Sequence, residues 1–368
     1  AAVVGGARVR RMIEDRNRRP DPALVDGPTA PTVSGSPESL VSVAELGREG
    51  VRFVSFPTDA ADIAAVQGQA ARAVPIRVFI GFDAAAEIEQ RVALAMAELR
   101  RTGAFERQAI LVQAPAGTGY ANATPVDALE LLTSGDCATV VVSFGLLPSF
   151  MSMRKVPAAA RAQRLLLDAI ATESSGRARP PRILLYGESL GASIQQAAVP
   201  AGPSDLDAFG ISGVLWVGTP GGQFSDAMHA HCEAEAIVID RAEDIPDPLP
   251  VPRPRVWFLE HIGDPVVRFR PAVLVSRPAW LPKSGDRGRG VPSRMTFRPI
   301  ITYLQLLVDT LFATDVEPGE FASVGHDYRA DLGAAVIAAY GLTPGPPDGP
   351  LLNDVLAALE ARRAASFD

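Results

Sequence analysis

Residues 187–191 read Gly-Glu-Ser-Leu-Gly and directly follow the apolar run Arg182-Ile183-Leu184-Leu185-Tyr186. A helix-compatible stretch comes next, so the five residues lie between a buried strand and a helix. In that setting a G-x-S-x-G pattern has a mechanical meaning. The turn is sharp enough to strain the serine backbone and to project its hydroxyl from the carboxyl edge of a sheet. Glycines two residues to either side let strand and helix approach where a Cβ would block them. Ser189 is therefore the candidate nucleophile, and the chain needs a sheet whose strands alternate with helices.

The remaining sequence supplies that alternation. Short apolar runs at 76–81, 109–113, 139–144, 182–186, 213–217 and 255–259 are separated by helical stretches such as 84–101 and 158–171. Strands buried on both faces read as continuous apolar runs, and right-handed crossovers then give a mostly parallel α/β sheet with helices on both faces. We expect one catalytic domain over residues 46–368. Ahead of it, residues 1–45 read as a basic and Pro-rich arm or juxtamembrane linker, with 20–45 rich in Pro, Gly, Ser and Thr. Residues 241–254 and 276–296 read as loop excursions. No clear last strand separates Asp264 from His326, which leaves the far edge of the sheet undefined.

Composition excludes some classes. A formal charge of −7 over 368 residues lacks the basic face that phosphate recognition needs, so no nucleic-acid partner is expected. The two cysteines, Cys137 and Cys232, make no disulfide framework. No apolar stretch reaches the roughly 18 residues that span a bilayer. The chain opens Ala1-Ala2-Val3-Val4-Gly5-Gly6 and then carries Arg8, Arg10, Arg11, Arg16, Arg18 and Arg19. Two readings stand: a basic segment just after a membrane region that this chain lacks, or an amphipathic surface helix.

A serine hydroxyl needs an adjacent base, normally a histidine steadied by a carboxylate. After such an elbow the chain order is Ser, then Asp or Glu, then His. Of the four histidines, His229, His231 and His261 precede the best acid candidate. His326, in Gly325-His326-Asp327-Tyr328, lies far downstream. The acid candidate is Asp264, in the turn just beyond the run at 255–259; Asp327 and Asp309 are substitutes. The oxyanion that forms on the substrate needs two N–H donors. One falls to Leu190, directly after the nucleophile, and the other to Thr118 in the glycine turn Gly117-Thr118-Gly119. Gly117, Gly119, Tyr120 and Glu188 are the expected substrate-binding residues.

Other clusters are weaker. His229-Ala230-His231-Cys232-Glu233 would put both histidines on one face of a strand, but no second ligand pair is near, so no metal site is expected. Gly218-Thr219-Pro220-Gly221-Gly222 follows a strand but lacks a P-loop lysine. Trp257, Phe269, Trp280 and Phe297 line an acyl pocket or belong to the core.

Taken with Pro75-Ile76-Arg77-Val78, Leu99–Phe105, Gly117–Tyr120, Gly135–Val140, Gly187–Ala192, Gly263–Val266 and Gly325–Tyr328, the chain resembles a bacterial α/β-hydrolase family of unknown function. Members are often joined to an N-terminal membrane-spanning region. The resemblance covers roughly residues 50 to 340, with Tyr120 where the family has Trp. It implies an α/β-hydrolase fold and the triad Ser189, Asp264 and His326. It also implies membrane association through a segment absent from this chain. The expected activity is hydrolysis of a carboxylic ester, a small molecule or a lipid or thioester, without metal or organic cofactor. An acyltransferase with the same triad and a non-catalytic relic are the alternatives.

Overall fold

The computed structural model describes residues 2–285, 287–311, 313 and 316–367, with the side chains of 2–6, 223 and 224 excepted. Each apolar run read as a strand is one: β1 (Ile76–Ile80), β2 (Ala109–Ala114), β3 (Cys137–Val142), β4 (Arg182–Glu188), β5 (Ile211–Val217) and β7 (Val256–Leu259). The far edge is closed by β6 (Ala236–Ile239). This strand precedes β7 in the chain but lies outside it. All seven strands are parallel, in the order β1-β3-β2-β4-β5-β7-β6. Helices such as Ile88–Arg101 and Val156–Ser175 make crossovers and cover the faces, and Arg329–Tyr340, after the last strand, packs on β5. The strands β1, β2, β3 and β7 are buried along their whole length, as a sheet covered on both faces requires.

The strand order reverses between β2 and β4. From β2 the chain steps toward β1, and from β4 it steps the other way. At such a point neighbouring loops leave the carboxyl edge in opposite directions and open a crevice between them. The loop after β2 holds Thr118, and the turn after β4 holds Ser189. Topology alone therefore brings two of the expected site elements together.

Residues 20–45, expected as a linker or surface arm, lie along the β1 edge. Val33 bridges Arg77 in parallel fashion, and Ser34 donates its N–H to the Arg77 carbonyl at 3.0 Å. Val33, Ser34 and Val41 are buried. Within the opening helix, Ala2–Arg18, the Asn17 amide donates to the Leu146 carbonyl at 2.8 Å. No helix among the described residues is long and apolar enough to cross a membrane.

Candidate active site

Strand β4 ends at Glu188 and the helix Leu190–Ala198 begins two residues later, so Ser189 alone makes the turn. Its φ of 53° and ψ of −122° fall in a region that L-residues rarely occupy, at a cost of order 1–3 kcal/mol. The flanking glycines make this turn possible. A Cβ on Gly187 would stand 2.8 Å from Ala192 Cα, and one on Gly191 would stand 2.3 Å from the Ala114 carbonyl oxygen. The Ser189 N–H donates to the Val217 carbonyl at 2.9 Å, tying the elbow to the end of β5.

One residue beyond Val217, Gly218 supports the imidazole of His326. A Cβ there would lie 2.7 Å from His326 Cε1 and 3.1 Å from Nδ1. His326 thus packs on the strand end to which Ser189 is bonded. Its Nδ1 is 2.7 Å from Asp264 Oδ2. Asp264 follows β7 and is fully buried; its Oδ1 accepts the Val266 N–H at 2.7 Å, and its Oδ2 also accepts the Tyr328 hydroxyl at 2.6 Å. Neither Asp327 nor Asp309 takes this place. Asp327 is paired with Arg329 at 2.7 Å, and Asp309 is an exposed residue of the helix Ile301–Leu311. Among the described residues Ser189 Oγ and His326 Nε2 make no hydrogen bond, to each other or to any other group.

Burial disfavours the charged imidazole of His326, but the attraction of Asp264 and the hydrogen bond to it outweigh that cost. The group is therefore held above the usual histidine value, with Glu188 adding to the effect. The Tyr328 hydroxyl is raised well above its usual range by burial and by the same carboxylate, so it stays a donor.

On the other side of the crevice, the loop 116–120 folds on itself. Ala116 N–H donates to the Tyr120 carbonyl at 2.7 Å, Gly119 N–H to the Ala116 carbonyl at 3.0 Å, and Tyr120 N–H to Thr118 Oγ1 at 3.3 Å. Gly117 N–H faces Ser149 Oγ at 3.5 Å, and the Gly117 carbonyl accepts from Leu147 at 3.2 Å. Gly117 and Gly119 spend their amides on the protein itself. The N–H groups of Thr118 and of Leu190, the first residue of its helix, have no acceptor among the described residues. Tyr120 is 49% exposed. Glu188 accepts from Asn122 at 2.7 Å and from the Tyr186 hydroxyl, which fixes it beside the elbow.

Two contributors escaped the sequence reading. Tyr328 sits two residues after His326 inside the quoted Gly-His-Asp-Tyr segment, and that spacing was the signal for it. His261, set aside by chain order, is 2% exposed and braces the histidine loop. Its Nδ1 is 2.8 Å from the Gly325 carbonyl and its Nε2 3.0 Å from Asp331 Oδ2. Its ring stacks on Tyr328 with centroids 4.0 Å apart.

Other expectations change. His229 and His231 lie on a helix, Gln223–Cys232, and not on a strand; His229 stacks on Phe258, and His231 faces the Pro200 carbonyl. The described residues contain no cluster of three or more His, Cys, Asp or Glu suited to a metal ion. Trp257 belongs to the core, its indole N–H donating to the Pro254 carbonyl at 3.0 Å.

A parallel sheet with a strained serine turn at its carboxyl edge, beside a buried histidine–aspartate pair, defines the α/β-hydrolase class of fold. The chain belongs to the alpha/beta-hydrolase family, whose model matches residues 76–344. No curated protein matches it. Among solved structures, an acetylxylan esterase known at 0.90 Å resolution is similar with 13% identity and a TM-score of 0.30, covering 44% of this chain and 85% of that one. At that score the likeness carries no argument about function.

Proposed function

We propose that the chain is a serine hydrolase that cleaves carboxylic esters through an acyl-enzyme. Ser189 Oγ attacks the ester carbonyl while His326 Nε2 takes its proton. Asp264 holds the ring with Nδ1 protonated and stabilises the imidazolium that forms. The N–H groups of Thr118 and Leu190 receive the oxyanion, helped by the N-terminal end of the Leu190–Ala198 helix. His326 then returns the proton to the departing alcohol. A water activated by the same imidazole attacks the acyl carbon, releasing the acid and restoring Ser189.

One observation carries this reading. The Asp264–His326 pair, bonded at 2.7 Å, rests on Gly218 beside the strand end that anchors the strained Ser189. The membrane association implied by the family resemblance belongs to the same proposal.

The test combines a fluorophosphonate probe with ester substrates of increasing acyl length. Wild type is expected to be labelled at Ser189 and to turn over esters, and Ser189→Ala to do neither. An unlabelled wild type would mark a relic. Acyl transfer to added alcohols in preference to water would mark an acyltransferase. Turnover that survives Ser189→Ala would overturn the assignment.

A further inference from the structure

The helix Ile301–Leu311 buries one face and leaves its other apolar face bare. Thr302 and Leu306 point into the protein, and Tyr303 packs on Phe269 with centroids 5.1 Å apart. Ile301, Leu304, Val308 and Leu311, spaced i, i+3, i+7 and i+10, form a stripe on the opposite side, each at least 51% exposed. The stripe continues into Ile300, 58% exposed, whose N–H donates to the Leu274 carbonyl, and into Val275, 72% exposed. A contiguous aliphatic patch of this kind marks an interaction surface. The helix is tied to the site through Pro265–Arg268, on which it packs and which begins directly after Asp264.

Charge selects the occupant. Residues 265–311 hold eight Lys and Arg against two Asp and Glu; with Arg270 and Arg289 paired to Asp226 and Asp240, the segment still keeps a net of +4 in a chain whose total is −7. Lys283, Arg294 and Arg298 are exposed, and none has a carboxylate partner among the described residues. A second copy docked face to face would bring two such cationic segments together, which repulsion opposes. A surface with an apolar interior and anionic head groups satisfies both the stripe and the basic residues.

We infer that the face formed by helix Ile301–Leu311 and its basic surroundings docks on an anionic lipid bilayer, presenting the Ser189 rim to ester lipids held there. The docking stands on its own; the substrate class rests on the hydrolase reading. The test uses the full chain carrying Ser189→Ala, so that binding is read without turnover. Vesicles of equimolar phosphatidylglycerol and phosphatidylcholine should co-sediment it, and vesicles of phosphatidylcholine alone should not.

Leu304→Gln with Val308→Gln should weaken the binding at least tenfold. Replacing Lys283, Arg294 and Arg298 together by Gln should weaken it by about 100-fold, roughly fivefold for each charge. The same substitutions on the wild-type background should leave hydrolysis of a water-soluble short-chain ester unchanged. Absence of binding to the mixed vesicles, or binding untouched by both sets, would overturn the inference. So would a dimer in analytical ultracentrifugation that Leu304→Gln with Val308→Gln abolishes. A failed hydrolase reading shows separately, as short-chain ester turnover that persists in Ser189→Ala.

Discussion

Two groups of buried carboxylates among the described residues differ in what faces them. At the β1 edge, Arg77 donates to Glu130 at 2.7 Å and to Asp127 at 2.6 Å, all three side chains being almost wholly enclosed, with Arg363 on the far side of Asp127. At the carboxyl edge, Asp264 is equally buried, but its partners are His326 and Tyr328. Burial penalises the Arg77 charge, yet Glu130 and Asp127 outweigh it and hold the guanidinium above even its usual value, so no proton leaves it in any ordinary buffer. An imidazole beside a carboxylate keeps a proton that can be given up near neutral pH. Both clusters bury negative charge, but only the second can move a proton. An imidazole partner is necessary for that and not sufficient, since the equally buried His261–Asp331 pair braces the histidine loop.

The comparison is easiest to break at the proposed nucleophile. Ser189→Ala is expected to lower kcat on the order of 10⁶-fold while chemical denaturation detects no loss of stability. Arg77→Met should do the reverse. It leaves Glu130 without its counter-charge and Asp127 with Arg363 alone, and costs about 3–5 kcal/mol of unfolding free energy, while the surviving folded fraction keeps its kcat. If Arg77→Met spared stability and reduced kcat, the contrast drawn here would fail.

Tyr328→Phe probes the reactive cluster more finely. Losing one donor leaves the Asp264 charge less satisfied, so His326 should bind its proton more tightly. We expect kcat to fall about tenfold, near 1.4 kcal/mol, and the acid limb of the kcat/KM profile to move to higher pH. In wild type that limb should already lie above the ordinary histidine value of about 6.5, because His326 must be neutral to act as a base and its pKa is raised.

Stability has the opposite sign. A histidine raised on folding contributes stability that is fully present below its unfolded pKa and fades as pH climbs through the folded one. Activity should therefore rise with pH across the window in which this part of the stability fades. A matched set of pH–rate and pH–denaturation curves, with His326→Gln as the control, checks both signs.

Much of the site was legible because its parts carry local signals. The Gly-Glu-Ser-Leu-Gly turn encodes its own strain, and chain order with only four histidines left His326 as the candidate base, which the fold places against Asp264. The turn after the run at 255–259 offered Asp264. Strand β6 is missing from the sequence reading although Ala236–Ile239 is a continuous apolar run: it is only four residues long, and its burial runs from half-buried Ala236 and Ile237 through exposed Val238 to buried Ile239, as an edge strand allows. The role of His261 was hidden for a different reason. The order rule discards it as a base, and bracing Gly325 depends on a contact 64 positions away that no local pattern announces. The helix Ile301–Leu311 reads as ordinary amphipathic sequence, and only the fold shows which of its faces was left bare.

The backbone at Ser189 has one more consequence. A residue without a side chain would sit at φ 53° with far less penalty, so Ser189→Gly should melt about 1–2 °C higher than the wild type, corresponding to about 1 kcal/mol. It would also be inert. A laboratory selection that rewards heat resistance alone would discard the proposed nucleophile's hydroxyl, and only a screen that scores turnover in the same round would retain it.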